Sequence, residues 1–139
     1  MSCSGKKGRS ECPVTFVLDI FGDKWSLLIV RDLMLRGRCT YGEFLNAGDG
    51  IATNILADRL RCLELKGIIH KSRDPKSRRR YLYSLTKKGL DLAPIILEMI
   101  RWSGKHDPAT GARKEFLKRL RDDFDGIISD IHSGIVVIK

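Results

Sequence analysis

The sequence lacks the features that define several large protein classes. No apolar run approaches the roughly 20 residues that a bilayer requires, so no membrane contact is expected. No two of the four cysteines (Cys3, Cys12, Cys39 and Cys62) form a CxxC pair, and no Cys/His cluster has zinc-ligand spacing. The three histidines, His70, His106 and His132, are scattered, and no metal role is expected of them. The glycine-bearing turn at 46–50, NAGDG, has neither P-loop spacing nor a lysine behind it, and no nucleophile–base signature occurs. These absences argue against an enzyme and against a bound cofactor. Internal repeats are missing too. The first ten residues, MSCSGKKGRS, have no apolar segment behind them and so do not read as a secretory signal. Without an export signal, reduced thiols and a cytoplasmic location are the default expectation.

What is present is a chain of 139 residues with ordinary hydrophobic (42%) and charged (31%) content, enough for one domain with a real core. Its charge is very uneven. Residues 1–49 hold 7 Lys/Arg against 6 Asp/Glu, and residues 89–139 hold 8 against 8. Residues 50–88 hold 11 against 3, so +8 of the net +9 sits in one central segment. Positive charge localised in this way points to an extended anionic partner, and nucleic acid is the first candidate.

The periodicities give that segment a shape. Pro13 opens a helix with Val14, Val17, Leu18 and Phe21 on one face. Asp23 can cap a second helix, with Trp25, Leu28, Ile29 and Leu33 as its buried stripe, ending at Gly37. Arg38 to Thr40 is expected as a short edge strand. Thr40 and Glu43 form a T-x-x-E capping box ahead of inward Phe44 and Leu45. After the NAGDG turn comes a longer helix, about 52–66, with Ile55, Leu56, Leu60 and Leu63 buried and Gly67 as its stop. Short helix, turn and longer helix make a helix-turn-helix. Residues 68–73 and 80–85 alternate as strands around a hairpin containing Pro75. Together these elements predict a winged helix, mainly α with one small antiparallel β-hairpin, flanked by N- and C-terminal dimerisation helices. Thr86 is expected to cap a helix carrying Leu90, Ala93, Leu97 and Ile100, kinked at Pro94 if continuous. A last helix from about Ala112 carries one stripe from Phe116 and Leu117 through Leu120, Phe124, Ile127 and Ile128 to Ile131. That stripe is expected to pack on a second subunit. The expected division is a disordered leader over 1–11, a DNA-binding domain over 12–103 and a helical extension over 104–139 that dimerises.

Several short motifs occur in order: Cys12–Val14 (CPV), Gly22–Trp25 (GDKW), Tyr41–Leu45 (YGEFL), Gly50–Leu60 (GIATNILADRL), Leu63–Ile69 (LxxxGII) and Tyr83–Gly89 (YSLTxxG). In this order and spacing the chain resembles the HxlR family of bacterial and archaeal winged-helix regulators, a relative of the MarR group. The likeness runs from about Cys12 to Trp102. It implies a homodimeric transcriptional regulator, more usually a repressor, that binds a pseudo-palindromic operator. In several branches of the family a cysteine at the position of Cys12 senses oxidants or electrophiles, which makes a small-molecule or electrophile effector a further expectation. This chain departs from the family in having Ala52 where Ser is frequent at the start of the recognition helix. Ala caps poorly, leaving Asp49 or Thr53 to serve. The extension beyond Trp102 is less typical of the family.

On the recognition helix Thr53, Asn54, Ala57, Asp58 and Arg61 face outward, where the first turns of such a helix reach base edges. Asn suits adenine, Thr a thymine methyl or a phosphate, and Arg guanine. Asp58 has two readings, an acceptor for cytosine or an intrahelical partner of Arg59 or Arg61. The wing, 73–80, offers Arg73, Lys76, Arg78, Arg79 and Arg80 to phosphates or the minor groove. Cys12, just before Pro13 at a helix start, is a candidate redox sensor, because a helix N-terminus favours the thiolate. The alternative is a small unreactive residue. Cys39 is open between a resolving partner and a strand residue, and Cys62 reads as structural. Trp25 and Trp102 read as core and interface residues, and Asp122, Asp123 and Asp125 as a solvated helix face. Two further functions compete: a non-specific nucleic-acid binder, and a winged-helix module whose basic face meets an acidic protein.

Overall fold

The computed structural model describes residues 11–138. The rest of the expected leader, Cys3 included, lies outside that range. Helices α1 (Pro13–Phe21) and α2 (Ser26–Leu35) precede the short α3 (Tyr41–Leu45) and the longer α4 (Thr53–Leu65). Strands β1 (Ile69–Asp74) and β2 (Ser77–Leu85) form one antiparallel hairpin. Helices α5 (Lys87–Leu90), α6 (Ala93–His106), α7 (Lys114–Asp122) and α8 (Phe124–His132) follow. The winged helix-turn-helix is therefore present, with α4 as the second helix of the motif and the hairpin as the wing.

Local chemistry sets most boundaries. Asp23 caps α2 from three residues before its first helical residue, accepting from the N–H groups of Trp25 (2.9 Å) and Ser26 (2.8 Å). The Thr40–Glu43 capping box is made in both directions. At the end of α4 the N–H of Gly67 bonds to the Glu64 carbonyl (3.0 Å) and that of Ile68 to the Leu63 carbonyl (2.9 Å). This Schellman ending needs Gly67 at φ +74° and turns the chain directly into β1. Thr86 caps α5 and donates its hydroxyl to the Gly67 carbonyl (2.5 Å), tying the hairpin's exit to its entrance.

One apolar core runs through the described chain. Val30 and Leu35 of α2, Leu56 and Leu63 of α4, Ile68, Leu97 of α6, Leu120 of α7 and Ile127 of α8 are essentially sealed from solvent. Phe44 of α3 meets Tyr83 of β2 at a ring-centroid distance of 5.9 Å, which seats the wing on the helix-turn-helix.

The structure corrects several expectations. Residues 38–40 form no strand, although the Tyr83 N–H bonds to the Cys39 carbonyl (2.8 Å). Ile55 is exposed, not buried, while Arg59 and Cys62 take inward positions on α4. The helix after Thr86 does not kink at Pro94. It stops at Leu90 and restarts at Ala93, with Pro94 in the first turn, where its missing N–H is not needed. The final stripe is divided at Asp123 (φ −145°, ψ 49°) into α7 and α8, and Arg119 holds the bend by donating to Asp130 across it (2.6 Å). The bend lets both helices fold onto α6. Leu120, Ile127 and Ile131 are consequently buried within their own chain, while Phe116, Leu117, Phe124 and Ile128 of the same stripe are half-buried. The large apolar side chains left outward lie mainly on α1 (Val14, Phe16, Leu18) and α6 (Ile95, Met99, Trp102).

Candidate nucleic-acid interface

Helix α4 presents Thr53, Asn54, Ala57 and Arg61 to solvent, with Asp58 half-exposed among them. Neither Asp49 nor Thr53 caps its N-terminus, because Ala52 occupies the cap and no side chain accepts from the first turn. Asp49 is engaged instead by Arg31 of α2 (2.7 Å). Arg31 also reaches the buried Asp32, which is shared with Arg38 (3.0 Å) and Arg36 (3.6 Å). A charged hub on α2 thus braces the turn that leads into α4. The Tyr41 hydroxyl adds a bond from α3 to the Thr53 carbonyl (3.0 Å).

Asp58 realises its second reading. Arg59 and Arg61 both donate to its carboxylate, and their hydrogen bonds hold its pKa below the ordinary aspartate value.

The wing is more structured than a loop of charges. Asp74 pairs with Ser77 across a two-residue turn of Pro75 and Lys76, and the next pair is Arg73 with Tyr81. Arg78, Arg79 and Arg80 therefore bulge out of β2 together, with no β1 residue opposite them. Asp74 organises the tip, accepting from the Lys76 N–H (2.9 Å) and from Arg80 (2.8 and 2.6 Å), and these contacts lower its pKa. Arg73 donates to the Arg78 carbonyl (2.7 Å) and, with Lys71, lies over the Tyr81 ring. All five candidate wing cations are exposed. Arg80 already has a partner, so Arg78 and Arg79 are the more available pair. The structure thus places the candidate residues on two adjacent elements, α4 and the hairpin that follows it.

Cys12 is exposed at the start of α1. The backbone N–H groups of Thr15 and Val14 lower its thiol pKa, as expected at a helix N-terminus. Cys39 behaves in the reverse way, since partial burial and the Glu43 carboxylate raise its pKa. Cys62 is buried on the inner side of α4, beside the Arg59 guanidinium.

Sequence reasoning had treated Arg59 only as a partner for Asp58, and had overlooked Asp74 and the Asp32 hub. Arg59 could have been found, because it falls in phase with Leu56, Leu60 and Leu63, and an arginine on an apolar phase needs a buried acceptor. Asp74 was the lone acid of the hairpin.

The HxlR-like helix-turn-helix family matches residues 20–110, which hold α2 to α6 and the whole of this interface. The chain belongs to that family. A similar relative is the uncharacterized HTH-type transcriptional regulator sll1512 of Synechocystis, 39% identical over 63% of this chain. The match spans 64% of that relative's own length. Among solved structures, PA1607 superposes with a TM-score of 0.67 at 37% identity, covering 76% of this chain and 72% of its own. The redox regulator HypR in its reduced form gives 0.63 at 33% identity, covering 70% of this chain and 95% of its own. This HxlR-like protein is therefore a transcriptional regulator of the helix-turn-helix type. The family implies DNA binding and not catalysis. Among the described residues no helix is long and apolar enough to cross a membrane.

Proposed function

We propose that this HxlR-like chain is a homodimeric repressor that binds a pseudo-palindromic operator. Helix α4 lies in the major groove, with Thr53, Asn54 and Arg61 toward base edges and Asp58 as an intrahelical support. Arg73, Lys76, Arg78, Arg79 and Arg80 of the wing meet the flanking phosphates or minor groove. The supporting observation is the pairing of an exposed outer face on α4 with an adjacent, cation-rich wing, in a chain whose other segments are nearly charge-balanced. The uncapped start of α4 adds first-turn N–H groups that suit a phosphate.

The dimer is assigned to the outward apolar faces of α1 and α6, since most of the exposed large apolar side chains of the helices lie there, whereas the stripe of α7 and α8 is buried or half-buried in its own chain. Ile95, Met99 and Trp102 are spaced for one face of α6, and Val14, Phe16 and Leu18 project from α1. The division into a DNA-binding unit over 12–103 and an extension over 104–139 is kept, with the extension bracing α6 from behind. Cys12 serves as the thiol that senses an oxidant or electrophile. Its lowered pKa, its exposure and its place on the dimerising helix support this, and the similar HypR is described as a redox regulator.

The test is selection of bound sequences from random double-stranded DNA. Enrichment of an inverted repeat with half-sites about one helical turn apart is expected. Salt-sensitive binding without enrichment would replace this reading with a non-specific nucleic-acid binder. No DNA binding in either thiol state would favour a protein-interaction module.

A further inference from the structure

Four charged side chains of alternating sign run from the interior to the outer surface of α4. Asp23 lies in the elbow between α1 and α2, where a side chain at Gly22 would overlap the Leu18 carbonyl. Its carboxylate accepts the N–H groups that cap α2 and the Ser26 hydroxyl (2.6 Å). Arg59 Nη1 stands 3.5 Å from Asp23, and both side chains are 8% exposed. Arg59 Nη2 donates to one oxygen of Asp58, and Arg61 Nη2 donates to the other at 2.9 Å. Exposure climbs along this row to 28% at Asp58 and 60% at Arg61.

A buried ion pair is weak evidence for stabilisation, because well-packed apolar groups of similar size often do as well or better. It does fix direction. The planar Arg59 guanidinium, held by Asp23, prevents Asp58 from swinging, and Asp58 in turn restrains the long Arg61 side chain. An arginine ordered before binding has less rotamer freedom to lose when it meets guanine.

We propose that Asp23 and Arg59 are positioning residues for base reading, acting through Asp58 to pre-set Arg61. This rests on the operator-binding reading above and adds to it a specificity determinant that never touches DNA.

Asp23→Asn isolates the effect, since asparagine still caps α2 but offers Arg59 no charge. The double variant Asp23→Asn/Arg59→Met removes the pair while keeping volume, and remains informative if the single variant folds poorly. Base preference is measured position by position on the sequence selected by the wild-type chain, for both variants and for Arg61→Ala. Positions that lose preference in Arg61→Ala are expected to lose about threefold to tenfold in both Asp23 variants, less than in Arg61→Ala, because side-chain order is lost and the contact itself is not. The remaining positions should keep wild-type preference, and the double variant should melt no lower than wild type. Wild-type preference at the Arg61-dependent positions, an even loss over the whole site, or an Arg61→Ala variant that loses none would overturn the proposal. If the wild-type chain enriches no sequence, the operator reading itself falls and this inference with it.

Discussion

The two halves of the molecule are held together differently. The buried polar or charged residues of the described chain, Ser26, Asp32, Arg59 and Asp74, all precede residue 75, in the half that presents α4 and the wing. From α6 onward the interior closes on Leu97, Leu120, Ile127 and Ile131, and the ion pairs Arg101–Glu98, Arg119–Asp123 and Arg119–Asp130 stay part-exposed. Apolar contacts are cohesive but tolerate small shifts in angle. A guanidinium–carboxylate contact is directional and fixes orientation. The contrast suits a protein in which one half must aim side chains at a groove while the other need only stay packed.

The largest expected effect lies in the apolar half. Leu120→Ala removes a fully buried side chain and should cost about 2–5 kcal/mol, or roughly 10 °C in melting temperature. Below the transition, base preference should be unchanged. A variant that folds yet reads a different sequence would break the separation drawn here. Asp32→Ala is the counterpart in the ionic half. It leaves Arg31, Arg36 and Arg38 without their shared acceptor and should cost about 1–3 kcal/mol. Faster amide exchange should be confined to the turn at 46–52 and the start of α4. Equal acceleration across 114–132 would show that the hub braces the whole fold.

Acid should divide the halves without any substitution. Asp23, Glu43, Asp58 and Asp74 all have lowered pKa values, and all lie in the DNA-facing half. At Asp23 burial pushes upward, but bonds from Ser26 and Trp25 and the Arg59 charge outweigh it. A depressed carboxylate adds stability above its unfolded pKa of about 4, and that stability is lost as pH falls through the lower folded value. As pH falls below about 4, wing and α4 amides should therefore lose protection before those of α6–α8. Simultaneous loss everywhere would indicate one cooperative unit.

The ionic half was also the more legible in the sequence where its chemistry is local. The Thr40–Glu43 box, the Gly67 stop, the Asp23 and Thr86 caps and the Pro75–Lys76 turn each depend on residues within a few positions of one another. Contacts between distant residues were less visible. The period of the C-terminal stripe shows that a face is apolar, but not that a bend at Asp123 returns it to α6. The outward residues of α4 could be listed from its phase, yet the partner of Arg59 sits 36 positions away at Asp23. Ile55 was misplaced because helical phase alone does not show how wide the buried stripe becomes.

The smallest effect separates the wing arginines from one another. Arg79 has no carboxylate partner among the ion pairs of the described residues, whereas Arg80 is held by the buried Asp74. If Arg79 neutralises a phosphate, Arg79→Ala should reduce the slope of log affinity against log salt by about 1 and weaken binding evenly across sequences. Arg80→Ala should behave otherwise. It strips Asp74 of its main cation and disturbs the hairpin tip, so affinity falls while the salt slope changes by less than for Arg79. Equal slope changes at the two positions would mean that DNA draws Arg80 away from Asp74 on binding. In that case the ionic scaffold of the wing would rearrange in the complex, and the contrast between an aimed half and a merely packed half would hold for α4 alone.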